Sequence, residues 1–296
     1  MNGLGGPGKI SHVNSVISQR NPHAFVITET KTNEKLSAKL PREYNIFEED
    51  AVPQSHGKAH KWGVAVGIRK DVQISQRVQL TQASLKGRVL AVDVILPTDT
   101  GRGFVHRLIG VYAPWDPGIN NADPNAREFW GHLTAFCNGT LKSWSVSGDL
   151  NATVVSSEQA ADKSDARVQF RRFLKDAKAH DLWSDVPDRN RLISWTSKAR
   201  GSGGGGNIID RIVSSKSLLV DSEIGVADRY TDFVPSTDHR AVVGKLVYAP
   251  PSSSYGNCMA LPEVTQVFNQ PRIKYPLKSE RLVLAKLDYD YGFSVL

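Results

Sequence analysis

Two apolar periods alternate along this chain. Ile10, Val13 and Ile17 share one face of a helix that stops at Asn21-Pro22, because a proline ring disfavours helical backbone in the residue before it. Residues 24–28 follow as a short apolar strand delivering Glu29 at its end. Trp62, Val64, Val66 and Ile68 alternate with Gly63, Ala65 and Gly67, the period of a strand closely packed on its second face. Residues 89–96 and 105–113 predict two more strands, the second ending in Tyr112-Ala113-Pro114. Asp123-Pro124 opens a helix with a buried face of Phe129, Leu133 and Phe136. It leads into a strand through Trp144 and Val146 that ends in Ser147-Gly148-Asp149-Leu150-Asn151. A second helix buries Phe170, Phe173, Leu174 and Ala177 and carries Arg167, Arg171 and Arg172 elsewhere. Residues 192–195 and 207–213 predict strands flanking a glycine loop at 201–206, and Thr237-Asp238-His239 begins a last strand through Ala241, Val243 and Leu246.

Composition narrows the picture. With 296 residues and 40% hydrophobic content the chain can bury a substantial core, which excludes disorder throughout. A net charge of +7 favours an anionic partner, with nucleic acid and phosphorylated lipid or sugar both open on charge alone. Cys137 and Cys258 sit in unlike contexts without paired spacing, so neither a disulfide framework nor a zinc site is expected. No apolar run reaches bilayer length and the N-terminus lacks a signal-peptide pattern, so the expectation is an intracellular protein, in the nucleus rather than the cytoplasm, and not secreted. After Tyr248, Pro250 to Ser254 reads as a linker and the rest as a basic tail with a helix over 277–287, giving domains 1–248 and 249–296.

Several strand ends carry polar groups. In a strand, alternate side chains point one way, so Asp149 and Asn151 aim an acid and an amide at one place; an ordinary turn is the competing reading. Glu29 can project into a cleft or stand solvated, and Tyr112 can serve chemistry or packing. Asp210 interrupts an apolar run, so it needs a positive or hydrogen-bonding partner, and His239 offers one. His56 and His60 have no acidic or Cys companion and read as a solvated loop, and the glycines of 3–8 lack the flanks of a phosphate loop.

In chain order these groups fall within Asn2-Gly3-Leu4, Ile27-Thr28-Glu29-Thr30-Lys31, Val111-Tyr112-Ala113-Pro114, Ser147-Gly148-Asp149-Leu150-Asn151, Ile209-Asp210-Arg211-Ile212 and Thr237-Asp238-His239-Arg240. Together they resemble the endonuclease/exonuclease/phosphatase superfamily, which includes pancreatic deoxyribonuclease and the abasic-site repair endonucleases. The resemblance covers residues 1–248 and leans to the endonuclease domain of non-LTR retrotransposons, through Ile208 to Leu219 with Ser214-Ser215-Lys216-Ser217. It implies an α/β (α+β) fold: a four-layer sandwich of two packed mixed or antiparallel β-sheets flanked by helices. The family's first strand would lie ahead of Asn2, so a missing strand with exposed neighbouring edges is expected.

The resemblance also implies a metal-dependent phosphodiesterase, a DNA endonuclease nicking duplex DNA with Mg²⁺, or Mn²⁺ in its place. In that reading Glu29, Asp238 and Asn2 serve the metal, Asp149 activates water, and Asn151 and Tyr112 donate to the phosphate. Asp210 orients an imidazolium at His239, while Lys198, Arg200 and Thr237 contact substrate. In such elements a reverse transcriptase follows, although no reverse-transcriptase motif appears in these residues, so a fragment, a degenerate copy and a freestanding domain all stay open. Departures from the pattern are Thr237 in place of Ser, Trp115 after Pro114 where repair enzymes carry Asn, and the glycine loop where relatives place a DNA-contacting hairpin. The competing functions are an impaired relic that binds nucleic acid and a phosphatase acting on phosphorylated lipid or a small phosphoester.

Overall fold

Most of these apolar residues meet in two sheets packed face to face. A computed structural model describes residues 4, 8–32, 34–53, 60–97, 102–114, 126–139, 143–152, 165–186, 194–196, 206–226, 239–248, 259–260 and 292–295. Its first half contains β1 (Ala24–Thr28), β2 (Tyr44–Glu49), β3 (Val52–Pro53), β4 (His60–Lys61), β5 (Val64–Arg69), β6 (Gln73–Val78), β7 (Val89–Pro97), β8 (Arg102–Tyr112) and β9 (Trp144–Asp149). There follow β10 (Ala179–Asp181), β11 (Trp195–Thr196), β12 (Gly206–Asn207), β13 (Asp210–Ser215), β14 (Leu219–Val226), β15 (Val242–Tyr248), β16 (Met259–Ala260) and β17 (Gly292–Val295). Among the described residues the α-helices are α1 (Lys9–Arg20), α2 (Ala126–Asn138) and α3 (Asp165–Asp176). One sheet runs β14-β15-β17-β1-β5-β2 and the other β10-β13-β9-β8-β7-β6, with β16 added on β8.

Three apolar clusters mark the interfaces of four layers. Val13 and Ile17 of α1 pack on Phe25, Ile27 and Ala65 of the first sheet. Phe129, Leu133, Phe170 and Phe173 of α2 and α3 pack on Val89, Ala91, Ile109, Val111, Val146 and Val213 of the second. Between the sheets lie Val64, Val66, Ile68, Leu90, Val92, Leu108, Ile212, Leu246 and Tyr248. The two-residue period of each strand decides this sorting, since Leu90 and Val92 face one way and Val89 and Ala91 the other. The close packing expected of the second face of β5 is present: a Cβ on Gly67 would collide with the Phe25 ring.

The structure departs from the sequence reading in several places. The strand expected from Trp62 starts at Val64, because Trp62 (φ 68°) and Gly63 (φ 88°) are left-handed. A Cβ on Gly63 would run into Thr30 Oγ1, so that position requires glycine. Asn207 and Asp210 belong to different strands rather than one. β2, β6, β10 and β14 had no clear alternation to announce them; β6 is a largely exposed edge strand in which only Ile74 and Val78 lean on the core. The neighbouring edges expected to lie exposed are joined instead: β17 sits between β1 and β15, parallel to the first and antiparallel to the second. Two segments beyond Tyr248 therefore belong to the sheets, while 277–287, Asp123 and Pro124 fall outside the described residues. Among the described residues no helix is long and apolar enough to cross a membrane.

Candidate active site

Strand register assembles the centre. Tyr112 of β8 lies opposite Asp149 of β9, which lies opposite Asp210 of β13, so three polar residues form one row across the end of the second sheet. The parity that turns Leu108, Ser145 and Ile212 toward the first sheet turns these three the same way. Glu29, just past β1, comes across from the first sheet: Tyr112 Oη donates to its Oε1 at 2.9 Å, and Lys31 Nζ lies 2.7 Å from the same oxygen. His239 arrives ahead of β15. Its Nδ1 donates to Asp210 at 2.9 and 3.1 Å, and its Nε2 stands 4.0 Å from Asp149 Oδ2. Glu29 and His239, more than two hundred residues apart in sequence, thus belong to one cluster bridged by Tyr112 and Asp149.

Burial sets the charges. Asp149 is only 3% exposed, and desolvation, reinforced by the Asp210 carboxylate, pushes its carboxyl up to about 7; His239 opposes that rise. For His239 burial acts downward, but the Asp210 charge and hydrogen bond outweigh it and the imidazole titrates above its ordinary value. Burial, together with the Glu29 and Asp149 charges, drives the Tyr112 phenol far above its usual range, so it is held as a donor. The expected answer to the desolvation of Asp210 is therefore present as an ion pair with His239.

Left-handed backbone concentrates around this cluster. Glu29 (φ 57°), Lys31 (φ 50°), Trp62 (φ 68°) and Asn151 (φ 47°) all adopt a conformation costing about 1 kcal/mol or more for a side-chain-bearing residue. Hydrogen bonds hold it in place: Lys31 N to Trp62 O at 2.9 Å, Thr30 N to Gly63 O at 3.1 Å, Asn151 N to Asp149 Oδ1 at 2.9 Å and Asn151 Nδ2 to Ala113 O at 2.8 Å. Gly148 (φ 136°) must lack a Cβ, because one there would strike the Val111 carbonyl. One amide hydrogen of Asn151 is thus committed to the loop rather than to a substrate.

The sequence reading missed the cations on Trp62, whose carbonyl accepts from Lys31 N. Arg88 lies 3.8 Å from the Trp62 ring centre and Lys61 Nζ 4.2 Å, and Arg88 Nη1 reaches the Tyr112 carbonyl at 3.4 Å. The one available signal was Trp62 flanked by Lys61 and Gly63, which strand periodicity had absorbed. Asn2, Lys198, Arg200, Thr237 and Asp238 lie outside the described residues.

A family model described as Endonuclease/Exonuclease/phosphatase family matches residues 1–239. The chain belongs to that family. Its members are hydrolases of phosphodiester bonds and generally depend on a divalent metal. A search of curated proteins found no match. Among solved structures, the chain is similar to the Xenopus laevis APE2 catalytic domain at 16% identity and a TM-score of 0.62, covering 89% of this chain and 96% of that one. An AP endonuclease from Archaeoglobus fulgidus is similar at 16% identity and a TM-score of 0.58, covering 84% and 96%. D. rerio TDP2 complexed with single-strand DNA product is similar at 11% identity and a TM-score of 0.51, covering 80% and 89%. At these identities the structures establish the DNase I-like fold.

The donors can be tested against a metal. Ligand atoms of Asp149, Asp210 and His239 lie within 4.8 Å of one another. The Asp210 carboxylate is already occupied with His239 Nδ1, and a hard cation prefers oxygen to imidazole nitrogen, so this trio suits a hydrogen-bonded relay better than a magnesium cage. Glu29 offers a hard cation carboxylate oxygens without an imidazole; its Oε1 pairs with the Lys31 ammonium and accepts from the Tyr112 hydroxyl, so a cation there would displace Lys31.

Proposed function

We propose that this protein is a Mg²⁺-dependent DNA endonuclease of retrotransposon type that nicks duplex DNA, with Glu29, Asp238 and Asn2 holding the cation. When bound, the ion neutralises charge on the phosphate and on the departing oxygen. Asp149, whose raised carboxyl lies near neutrality, takes the proton of the attacking water. His239, kept cationic by Asp210, donates from Nε2 to a phosphoryl oxygen, and the Tyr112 phenol adds a second donor. Asn151 uses one amide hydrogen to fix its loop on Ala113 and the other for the phosphate. The observation that carries this reading is the row Tyr112, Asp149, Asp210 with Glu29 at one end and His239 at the other.

Support for DNA comes from the net charge of +7, from Lys31 paired with Glu29, and from Lys61 over the half-buried Trp62 ring, which the buried Arg88 backs from beneath. The TDP2 structure holding single-strand DNA is of the same fold. Support for the retrotransposon type is the resemblance of Ile208 to Leu219, with Ser214-Ser215-Lys216-Ser217 after the Asp-Arg-Ile-Val strand.

The test is relaxation of supercoiled plasmid by the full chain with and without Mg²⁺. Nicking that requires the ion and disappears in Glu29→Ala and His239→Ala is expected. Salt-sensitive binding without nicking, or phosphate release from inositol phosphates without DNA cleavage, overturns the proposal.

A further inference from the structure

Arg211 lies behind the candidate site. It follows Asp210 in β13, so the strand's alternation sends its side chain to the opposite face, where the guanidinium carbon lies 5.1 Å from the Phe170 ring centre. There it is 3% exposed. Its Nε donates to the Ala152 carbonyl at 2.9 Å, its Nη2 to the Ile208 carbonyl at 2.9 Å, and its Nη1 to Asp181. Ala152 follows the left-handed Asn151, and Ile208 stands two residues ahead of Asp210. Asp181 in turn accepts from Trp183 N at 3.3 Å, and the Trp183 indole donates to the Asp210 carbonyl at 3.0 Å.

We infer that Arg211 is a positioning residue for the reaction: one buried guanidinium clamps the segment presenting Asp149 and Asn151 to the segment presenting Asp210, with Asp181 and Trp183 completing the brace. The inference rests on the proposed nuclease reading. A planar fork with donors in three directions can hold two carbonyls and a carboxylate at once, which an ammonium on a flexible stem cannot do with the same geometry. Beyond the β9–β13 ladder, which sets Asp149 opposite Asp210, the two segments are joined at their tips by Leu150 N to Ile209 O at 3.0 Å, and Arg211 adds the contacts that fix Ala152 and Ile208 past the ladder's end. Arg211 never reaches the side where phosphate would bind, so its effect passes entirely through backbone placement.

A buried ion pair in the same sheet supplies the comparison. Arg107 and Asp93 meet at 2.7 and 2.9 Å, with Arg107 8% exposed, but neither neighbours the cluster. Plasmid nicking and melting of the full chain are compared for wild type, Arg211→Met, Arg211→Lys, Arg107→Met and the double variant Asp181→Asn/Arg211→Met. Because misplacing a reacting group by about 1 Å costs on the order of 100-fold, Arg211→Met is expected to lower kcat by about that factor, with KM within about threefold. Arg211→Lys falls between, and Arg107→Met melts earlier with kcat near wild type. Asp181→Asn/Arg211→Met removes the unpaired buried carboxylate, so melting recovers while kcat stays low. Recovery of kcat in step with melting in the double variant, or an equal loss in Arg107→Met, overturns the inference. Amide hydrogen exchange keeps it separate from the nuclease reading: Leu150 and Asn151 exchange faster in Arg211→Met than in Arg107→Met whatever the substrate proves to be. Equal protection in those two variants overturns the clamp even if the wild type nicks DNA.

Discussion

Strands β8, β9 and β13 carry two polar clusters in the same layer between the sheets, and they differ in one respect. Deep in the layer, His106 is fully buried; Nδ1 pairs with Ser143 at 2.7 Å and Nε2 with Ser145 at 3.0 Å, beside Tyr248, whose hydroxyl meets Ser214 at 2.9 Å. Four residues further along β9 comes Asp149, with Asp210 and His239 beside it. His106 has hydroxyl partners, so desolvation lowers its pKa to about 3 and the ring stays neutral. His239 faces two carboxylates and is raised. One cluster satisfies its hydrogen bonds without charge and knits the sheets together; the other concentrates charge that only a substrate, an ion or a proton can balance. Polarity in a buried layer becomes reactive only when its members are forced to be ionised together.

That contrast can be broken experimentally. The largest effect is expected at Asp149→Asn, which removes the proton acceptor and so lowers nicking by about 10³-fold or more. The same substitution is expected to stabilise the metal-free protein at pH 7. The folded carboxyl titrates near 7 against 3.8 ordinarily, so the folded state holds its proton more tightly; stability is full below about pH 4 and declines as pH rises toward 7. His239 is raised too and pushes in the same direction, through its own higher range. Urea unfolding in EDTA at pH 5, 7 and 8 should show a decline that Asp149→Asn flattens, and an unchanged decline contradicts the assignment.

Next, His239→Gln is expected to cost about 10²- to 10³-fold in kcat with little change in KM, since a donor to developing charge is lost. Single-turnover nicking separates that from weaker binding. The pH profile sharpens the same point, because raising Mg²⁺ from limiting to saturating should move the acidic limb of nicking to lower pH as a nearby cation favours ionised Asp149. A smaller effect is expected at Lys61→Gln: binding to duplex DNA should lose about one phosphate contact, reducing the salt slope by roughly 0.9 while leaving kcat intact. Smallest for activity is His106→Leu, which leaves Ser143 and Ser145 without their buried partner. It should cost about 2 kcal/mol of stability and change kcat less than about twofold. A large loss of kcat there would erase the distinction between the clusters.

The legible parts of the site were those that a strand presents locally. Asp149 with Asn151, and Asp210 inside an apolar run, stand out because alternation and the cost of burying an acid are properties of a few neighbouring residues. The pairing of Asp210 with His239 could be anticipated for the same reason, since a buried carboxylate demands a partner. Illegible were the features made by distant segments meeting. Trp62 looked like the start of a strand, yet contact with Thr30 and Lys31 from another loop holds it left-handed. Asn151 was expected to serve the phosphate, and part of its amide is taken by Ala113.

By itself, then, the sequence determined the faces of the clearly alternating strands and the identity of the acids, because side-chain period and residue chemistry are encoded locally, while the two-sheet layering followed from the family resemblance that those residues carry. Only the tertiary structure decided that β17 lies between β1 and β15, that Lys31 pairs with Glu29, and that Arg211 braces Ala152 against Ile208 from behind the sheet. Those are matters of register and approach between segments far apart in the chain, and local periodicity carries no information about which strand edge or which carbonyl will come within 3 Å of a given group.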